Sequence, residues 1–161
     1  MMTTGMPAVS VWAEELAFEY ELDLIDDEPH ELGCIGGGGG SGGSSNNSGI
    51  IKTFQTYTKI NPLTGQIYAG RTSGTGSAVE NIAARDAYHH MNNQGYGQAV
   101  LDKSSTSYDA IRGREQMLID ANGGAQSMGG TSGNAINGIG AYNPNKLRYM
   151  NAAEKEFGKI E

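Results

Sequence analysis

Residues Gly36 to Gly49 read GGGGGSGGSSNNSG, and no other feature constrains the chain as much. The run has almost no side chain whose burial could offset the entropy lost on ordering, so it is expected to behave as a flexible linker. It divides the 161-residue chain into an N-terminal segment, 1–35, the linker itself, 36–49, and a stretch from 50 to 161. That last stretch has room for one compact domain, since domains commonly run to about 100–150 residues. The 37% apolar share leaves the 25 glycines out of the count and still permits a core.

Charge divides at the same place. Nine acidic residues, from Glu14 through Glu31, and no Lys or Arg precede Ile51, which leaves nine acidic and all eleven basic residues downstream. The whole chain carries -7, but the candidate domain is about +2 on this count. An overall pI near 4.9 would speak against a nucleic-acid partner; with the acidic arm set apart, a phosphate ligand is permitted.

Cys34 is the single cysteine, so no internal disulfide forms, and one thiol without nearby Cys or His partners makes a poor zinc site. The N-terminus lacks the basic and long apolar regions of a secretory signal, and nowhere do enough apolar residues run together to span a membrane. The expectation is a soluble chain with no membrane contact, whose export would need a dedicated machine or a larger carrier. The segment Val11 to Leu24, VWAEELAFEYELDL, suits an amphipathic helix and an alternating strand equally. It reads as a solvated tail or the end of an upstream domain, or as a DNA-mimicking or self-inhibiting arm.

Downstream, Phe54–Ile60 and Gln66–Ser73 are rich in aromatic and β-branched residues and flank NPLTG, in which Pro62 presets φ and Gly65 can take a positive φ. This predicts a hairpin. Ser77 caps a helix running to His90, Gln98–Asp102 supplies a third strand, and Ser107 or Asp109 opens the strongest helix, YDAIRGREQMLIDA, which Asn122 to Gly124 stop. A Gly-rich loop then reaches Gly140. It lacks a nucleotide-binding P-loop pattern and is expected to be a mobile or substrate-side loop. A last helix over Asn145–Phe157 carries Leu147, Met150 and Phe157. The order β, β, α, β, α defines an α+β fold: a small three-stranded antiparallel sheet flanked by helices.

Two places put unusual chemistry on these elements. Ile111, Glu115 and Ile119 are spaced i, i+4, i+8, which sets a carboxylate in an apolar stripe. A buried carboxylate needs a cation, either an arginine such as Arg112 or Arg114 or a metal. Arg85 and His89, one helical turn apart, could converge on one anionic oxygen, with His90 pointing elsewhere.

Tyr57 in YTK, Tyr68 and Gly70 in YAG, the Arg85-x-x-x-His89 pair and then Glu115 follow the order of motifs in the GIY-YIG nucleases. From about Thr56 to Asn143 the chain resembles that superfamily. It departs at the first motif, TYT in place of Gly-Ile-Tyr, and at Ala69 in the second. The resemblance implies a GIY-YIG-like endonuclease in which Tyr57 activates the attacking water, Tyr68 and His89 hydrogen-bond around it and the phosphate, and Arg85 braces the phosphate. Glu115 would be the protein ligand of one divalent ion, in all expectation Mg2+. Gly70 would allow close backbone approach at the end of the second strand, and Arg71 would add a phosphate contact. Asn137 and Asn143 both stand where the late family asparagine falls, with Asn137 preferred.

TYTKINPLTGQIYAGRTSG together with DAIRGREQMLIDANGG and TSGNAING is also similar to C-terminal toxin domains of bacterial polymorphic systems, including Rhs-type carriers. That implies an effector delivered by a secretion system into the cytoplasm of a target cell, where it cuts nucleic acid, with DNA favoured over RNA. A cognate immunity protein would protect the producer. Two rival classes remain open: an ADP-ribosyltransferase toxin built on Arg71, Ser105–Ser107, Glu154 and Glu156, and a catalytically silent interaction module of the same fold.

Overall fold

The side chain of Asn61 organises the first turn. Its Oδ1 accepts the backbone N–H groups of Leu63 at 3.0 Å and Thr64 at 3.3 Å, and Gly65 completes the reversal at φ 75°. In the computed structural model, which describes residues 49–161, this turn joins β1 (Thr53–Ile60) to β2 (Ile67–Gly74). The expectations for the acidic segment and for the linker up to Ser48 lie outside the described residues. β3 (Val100–Ser105) pairs on the other side of β1, giving an antiparallel sheet of order β2-β1-β3. The sheet and its helices are the α+β architecture expected from the sequence. β3 starts two residues later than the expected strand, because Asp86 Oδ2 accepts the Ala99 N–H at 3.1 Å and ties that residue to a helix.

Beside Tyr57 the ladder of β1 and β3 slips. Thr56 faces Lys103 while Tyr57 faces Leu101, which leaves Asp102 as the extra residue of a bulge. The bulged Asp102 accepts from Thr56 Oγ1 at 2.9 Å and from Arg114 at 2.8 and 3.0 Å. Burial works to raise the pKa of Asp102, but the Arg114 and Thr56 hydrogen bonds outweigh it and hold the carboxyl below its ordinary value.

Helix α1 (Ala78–Asp86) begins with a capping box in which Ser77 Oγ accepts the Glu80 N–H and Glu80 Oε2 accepts the Ser77 N–H. It stops four residues short of the expected His90. The Asp86 carbonyl accepts from the His89 N–H at 3.2 Å and from Asn92 Nδ2 at 2.7 Å, which turns the chain out of the helix. His89 is extended, at ψ 128°, and caps a 3-10 turn over His90–Gln94. Arg85 and His89 therefore do not share one helical face, a correction to the spacing argument.

Helix α2 (Tyr108–Ala121), capped by Ser107, buries Ile111, Glu115 and Ile119 as the stripe predicts. Helix α3 (Lys146–Phe157) packs on α2 through Tyr149 and Ala153, at a point where any Cβ on Gly113 would collide with the Tyr149 backbone. Leu147, one of the apolar residues this helix carries, is 70% exposed, because the small surface at Gly113 selects the stripe with Tyr149 and Ala153 that fits against it.

The core divides across the sheet. Tyr57 and Tyr68 pack on one face with Ile82, Met91 and Tyr96; Ala69 packs on the other with Leu118, Ile119 and Ala125. The Gly-rich segment after α2, expected to be a mobile or substrate-side loop, is docked along β2 by hydrogen bonds. Gly133 N–H donates to the Ile67 carbonyl at 2.7 Å, and the Asn134 amide bonds both the N–H (2.9 Å) and the carbonyl (2.7 Å) of Ala69. The side chain thus acts as a surrogate strand along the β2 edge.

Candidate active site

Strand alternation puts Tyr57 and Lys59 of β1, and Tyr68 and Gly70 of β2, on the face that meets α1 and the His89 turn. Tyr57 Oη lies 2.8 Å from His89 Nε2. The Met91 N–H donates to His89 Nδ1 at 3.1 Å, so Nδ1 carries the lone pair and the ring proton sits on Nε2, which donates to Tyr57. Tyr68 stands edge-on to the same imidazole, ring centroids 5.1 Å apart. His90 stacks on it at 4.7 Å and meets Tyr68 edge-on. His90 is thus part of the cluster, where its place in an expected continuous helix had turned it away.

Burial pushes the His89 pKa down to about 3, and the nearby charges of Arg85, His90 and Lys59 push the same way against the opposing Asp86. His89 is therefore a neutral imidazole at ordinary pH. This field also locates Arg85 within electrostatic reach of the ring.

Gly70 sits within β2, opposite Tyr57, rather than at its end. A Cβ there would stand 2.6 Å from both Tyr57 Cζ and Oη, so the missing side chain makes room for the phenol. The next residue, Arg71, belongs to the other face. Its Nη1 donates to Glu115 Oε2 in an ion pair whose members are 6% and 2% exposed. The buried carboxylate thus has an arginine partner, but from β2 rather than from α2. Arg114 instead bonds Asp102, and the Arg112 guanidinium lies over the Tyr108 and Tyr149 rings.

Around Glu115 the docked loop closes in. A Cβ at Gly138 would come within 2.6 Å of Glu115 Oε2, and the neighbouring Gln116 accepts the Ile139 N–H at 2.9 Å and donates to Asn137 Oδ1 at 3.1 Å. Asn143 instead accepts from the Asn145 N–H in the turn before α3. Of the two late asparagines, Asn137 is the one joined to the Glu115 surroundings.

The expected residues form two groups. Tyr57, Tyr68 and His89 gather on one face, within the electrostatic field of Arg85; Arg71, Glu115 and Asn137 gather on the other, and the backbone at Gly70–Arg71 runs between them. Lys59 and Asn134 carry no local signal in the sequence, since their partners lie far along the chain. The residues of the transferase rival have other partners: Arg71 binds Glu115, Ser107 caps α2, and Glu154 pairs with Lys159 at 3.4 Å.

Among the described residues no three His, Cys, Asp or Glu side chains gather in a way that could hold a metal ion. Glu115 offers a single carboxylate that is 2% exposed and has Oε2 engaged by Arg71, so a metal ion would reach it only where that ion pair opens. No helix among the described residues is long and apolar enough to cross a membrane.

The fold and its two side-chain groups define a small α+β domain with a Tyr–His pair and a buried Arg–Glu pair flanking one strand. No protein-family model, curated protein or solved structure matches the chain.

Proposed function

We propose that residues 50–161 form a metal-dependent endonuclease of the GIY-YIG type that hydrolyses phosphodiester bonds, with DNA as the favoured substrate. The observation that carries this reading is the bond between Tyr57 Oη and the Nε2–H of a neutral His89. A donor on a phenol oxygen stabilises it after loss of its proton, so Tyr57 can serve as base while His89 remains uncharged.

In this reading a water attacks phosphorus and gives its proton to the Tyr57 phenolate. The new P–O bond forms as the bond to the leaving sugar oxygen breaks, and that oxygen takes a proton from solvent. Arg85, beside His89, balances charge on the phosphate. Glu115 would hold a Mg2+ ion whose Lewis acidity serves the phosphate and the leaving oxygen, which requires the phosphate to sit where the two faces meet at the Gly70–Arg71 backbone. Arg71 shares the Glu115 carboxylate and thereby restrains its position.

The likeness to Rhs-type toxin domains extends the proposal to an antibacterial effector, delivered through a secretion system or carrier polypeptide into a target cell and neutralised by an immunity protein. The second reading, a catalytically silent interaction module, draws on the Arg71–Glu115 pair, in which the guanidinium satisfies the carboxylate without any metal ion. Incubating the full chain with supercoiled plasmid and with total RNA, in Mg2+ and in EDTA, separates the two. Cutting of plasmid that EDTA abolishes supports the nuclease; intact DNA and RNA under both conditions support the silent module.

A further inference from the structure

Lys59 is fully buried, which is unusual for a residue whose charged head ordinarily seeks water. Its Nζ is ion-paired with Asp86 Oδ1 and donates to Asn92 Oδ1 at 2.7 Å. Asp86 in turn accepts the Ala99 N–H on its other oxygen, while its carbonyl accepts from Asn92 Nδ2 and from the His89 N–H. The Asn92 N–H donates to the His89 carbonyl at 3.0 Å. His89 is thus the middle residue of a loop whose two ends, Asp86 and Asn92, are clasped by one lysine.

That lysine stands two residues from Tyr57 on the same face of β1, about 6.7 Å along the strand. One strand therefore fixes both members of the Tyr57–His89 bond: Tyr57 directly, and His89 through the clasp. A buried ion pair is rarely a better stabiliser than apolar side chains of the same volume, and one use for it is to select a single arrangement of the groups around it.

We propose that Lys59 is a positioning residue for the reaction, holding the His89 loop through Asp86 and Asn92 so that Nε2 stays on the Tyr57 hydroxyl. The proposal rests on the reading of Tyr57 and His89 as the acting pair. Lys59 touches no reacting atom. The groups that face the His89 ring are Tyr57 and Lys59 from β1, Tyr68 from β2, Arg85 and Asp86 from α1, and His90 beside it. Removing Lys59 takes away one of the charges that disfavour a protonated imidazole, so the change reaches the ring by position and by field together.

The test uses the full chain labelled with 15N in its histidines, as wild type, Lys59→Met and Asn92→Ala, with NMR following the imidazole nitrogens of His89 through a pH titration. Asn92→Ala removes half of the clasp without leaving a buried charge unpaired, so it decides the matter if Lys59→Met does not fold. The wild type should keep the neutral Nε2–H form through pH 5. In the folded variants the ring should titrate measurably higher and show mixed tautomers, with kcat for nucleic-acid cleavage falling about 10- to 100-fold at little change in KM. Wild-type tautomer and titration in a folded variant would overturn the proposal. If the wild type cuts no nucleic acid but the His89 signals shift as described, the clasp stands and the nuclease reading fails.

Discussion

Arg71 reaches from β2 to donate to the Glu115 carboxylate, and the two charges meet where water is almost wholly excluded. Taking away one partner leaves the other buried and uncompensated, which typically costs about 3–5 kcal/mol. Arg71→Met should therefore lower the urea midpoint of unfolding substantially. Millimolar Mg2+ should restore part of the loss, because the carboxylate gains a cation in place of the guanidinium. A midpoint in the variant that ignores Mg2+ would count against Glu115 as a metal ligand.

Gly70 faces Tyr57 so closely that a methyl group has no room beside the phenol. Gly70→Ala should displace the Tyr57 ring from His89, costing about 1–3 kcal/mol through overpacking. It should lower cleavage by more than that loss of stability explains at temperatures where the variant is folded. Thermal unfolding and initial rates measured on the same sample check this; an unchanged rate would mean that the Tyr57–His89 bond is dispensable.

His89 gives stability a pH dependence with a defined sign. Its imidazole stays neutral in the fold down to about 3, while in the unfolded chain it takes up a proton near the ordinary 6.5. The unfolded state thus binds more protons between those values, so the contribution is whole above 6.5 and is lost as pH falls toward 3. One proton gives a slope of at most about 1.4 kcal/mol per pH unit. Asp86, whose burial is outweighed by Lys59 and the Ala99 N–H, lies below its ordinary 3.8 and adds a loss of the same sign only under that value. His89→Gln should flatten the stability curve between pH 6.5 and 4 and leave the more acidic limb in place. Chemical denaturation across that range tests it, and an unaltered slope would contradict the assignment.

The docking of the Gly-rich loop depends on one side chain. Asn134→Ala leaves the Ala69 N–H and carbonyl without their partner on the β2 edge, at about 1–3 kcal/mol for the buried groups exposed. Hydrogen exchange should quicken at Ala69 and across residues 133–139, while the β1–β3 amides keep their protection. Uniform quickening of the whole sheet would show instead that the loop is part of the global core.

What could be read from the sequence was local. NPLTG announced the hairpin because Asn61 and Gly65 do their work within the turn, and the Ile111, Glu115, Ile119 stripe announced a buried face of α2 because helical spacing is short-range. The end of α1 could not be read in this way. It is set by Lys59, Asn92 and Ala99 meeting Asp86 from three other segments, and that meeting moved His89 out of the helix and into contact with Tyr57. The same applies to Arg71, whose partner lies 44 residues away, and to the packed face of α3, which the surface at Gly113 selects. The spacing Asp86-x-x-His89-x-x-Asn92 with Tyr57-x-Lys59 carries the clasp once its geometry is known.

Single-turnover cleavage of supercoiled plasmid in Mg2+ by the full chain and by Tyr57→Phe isolates the Tyr57 hydroxyl. Phenylalanine keeps the ring packed on Gly70 and removes only the oxygen that meets His89. The role of Tyr57 as general base predicts a loss of about 10²- to 10⁴-fold in rate, measured where the variant stays folded despite about 1–3 kcal/mol lost at the unpaired His89 Nε2–H. A Tyr57→Phe protein that cuts at the wild-type rate would contradict it.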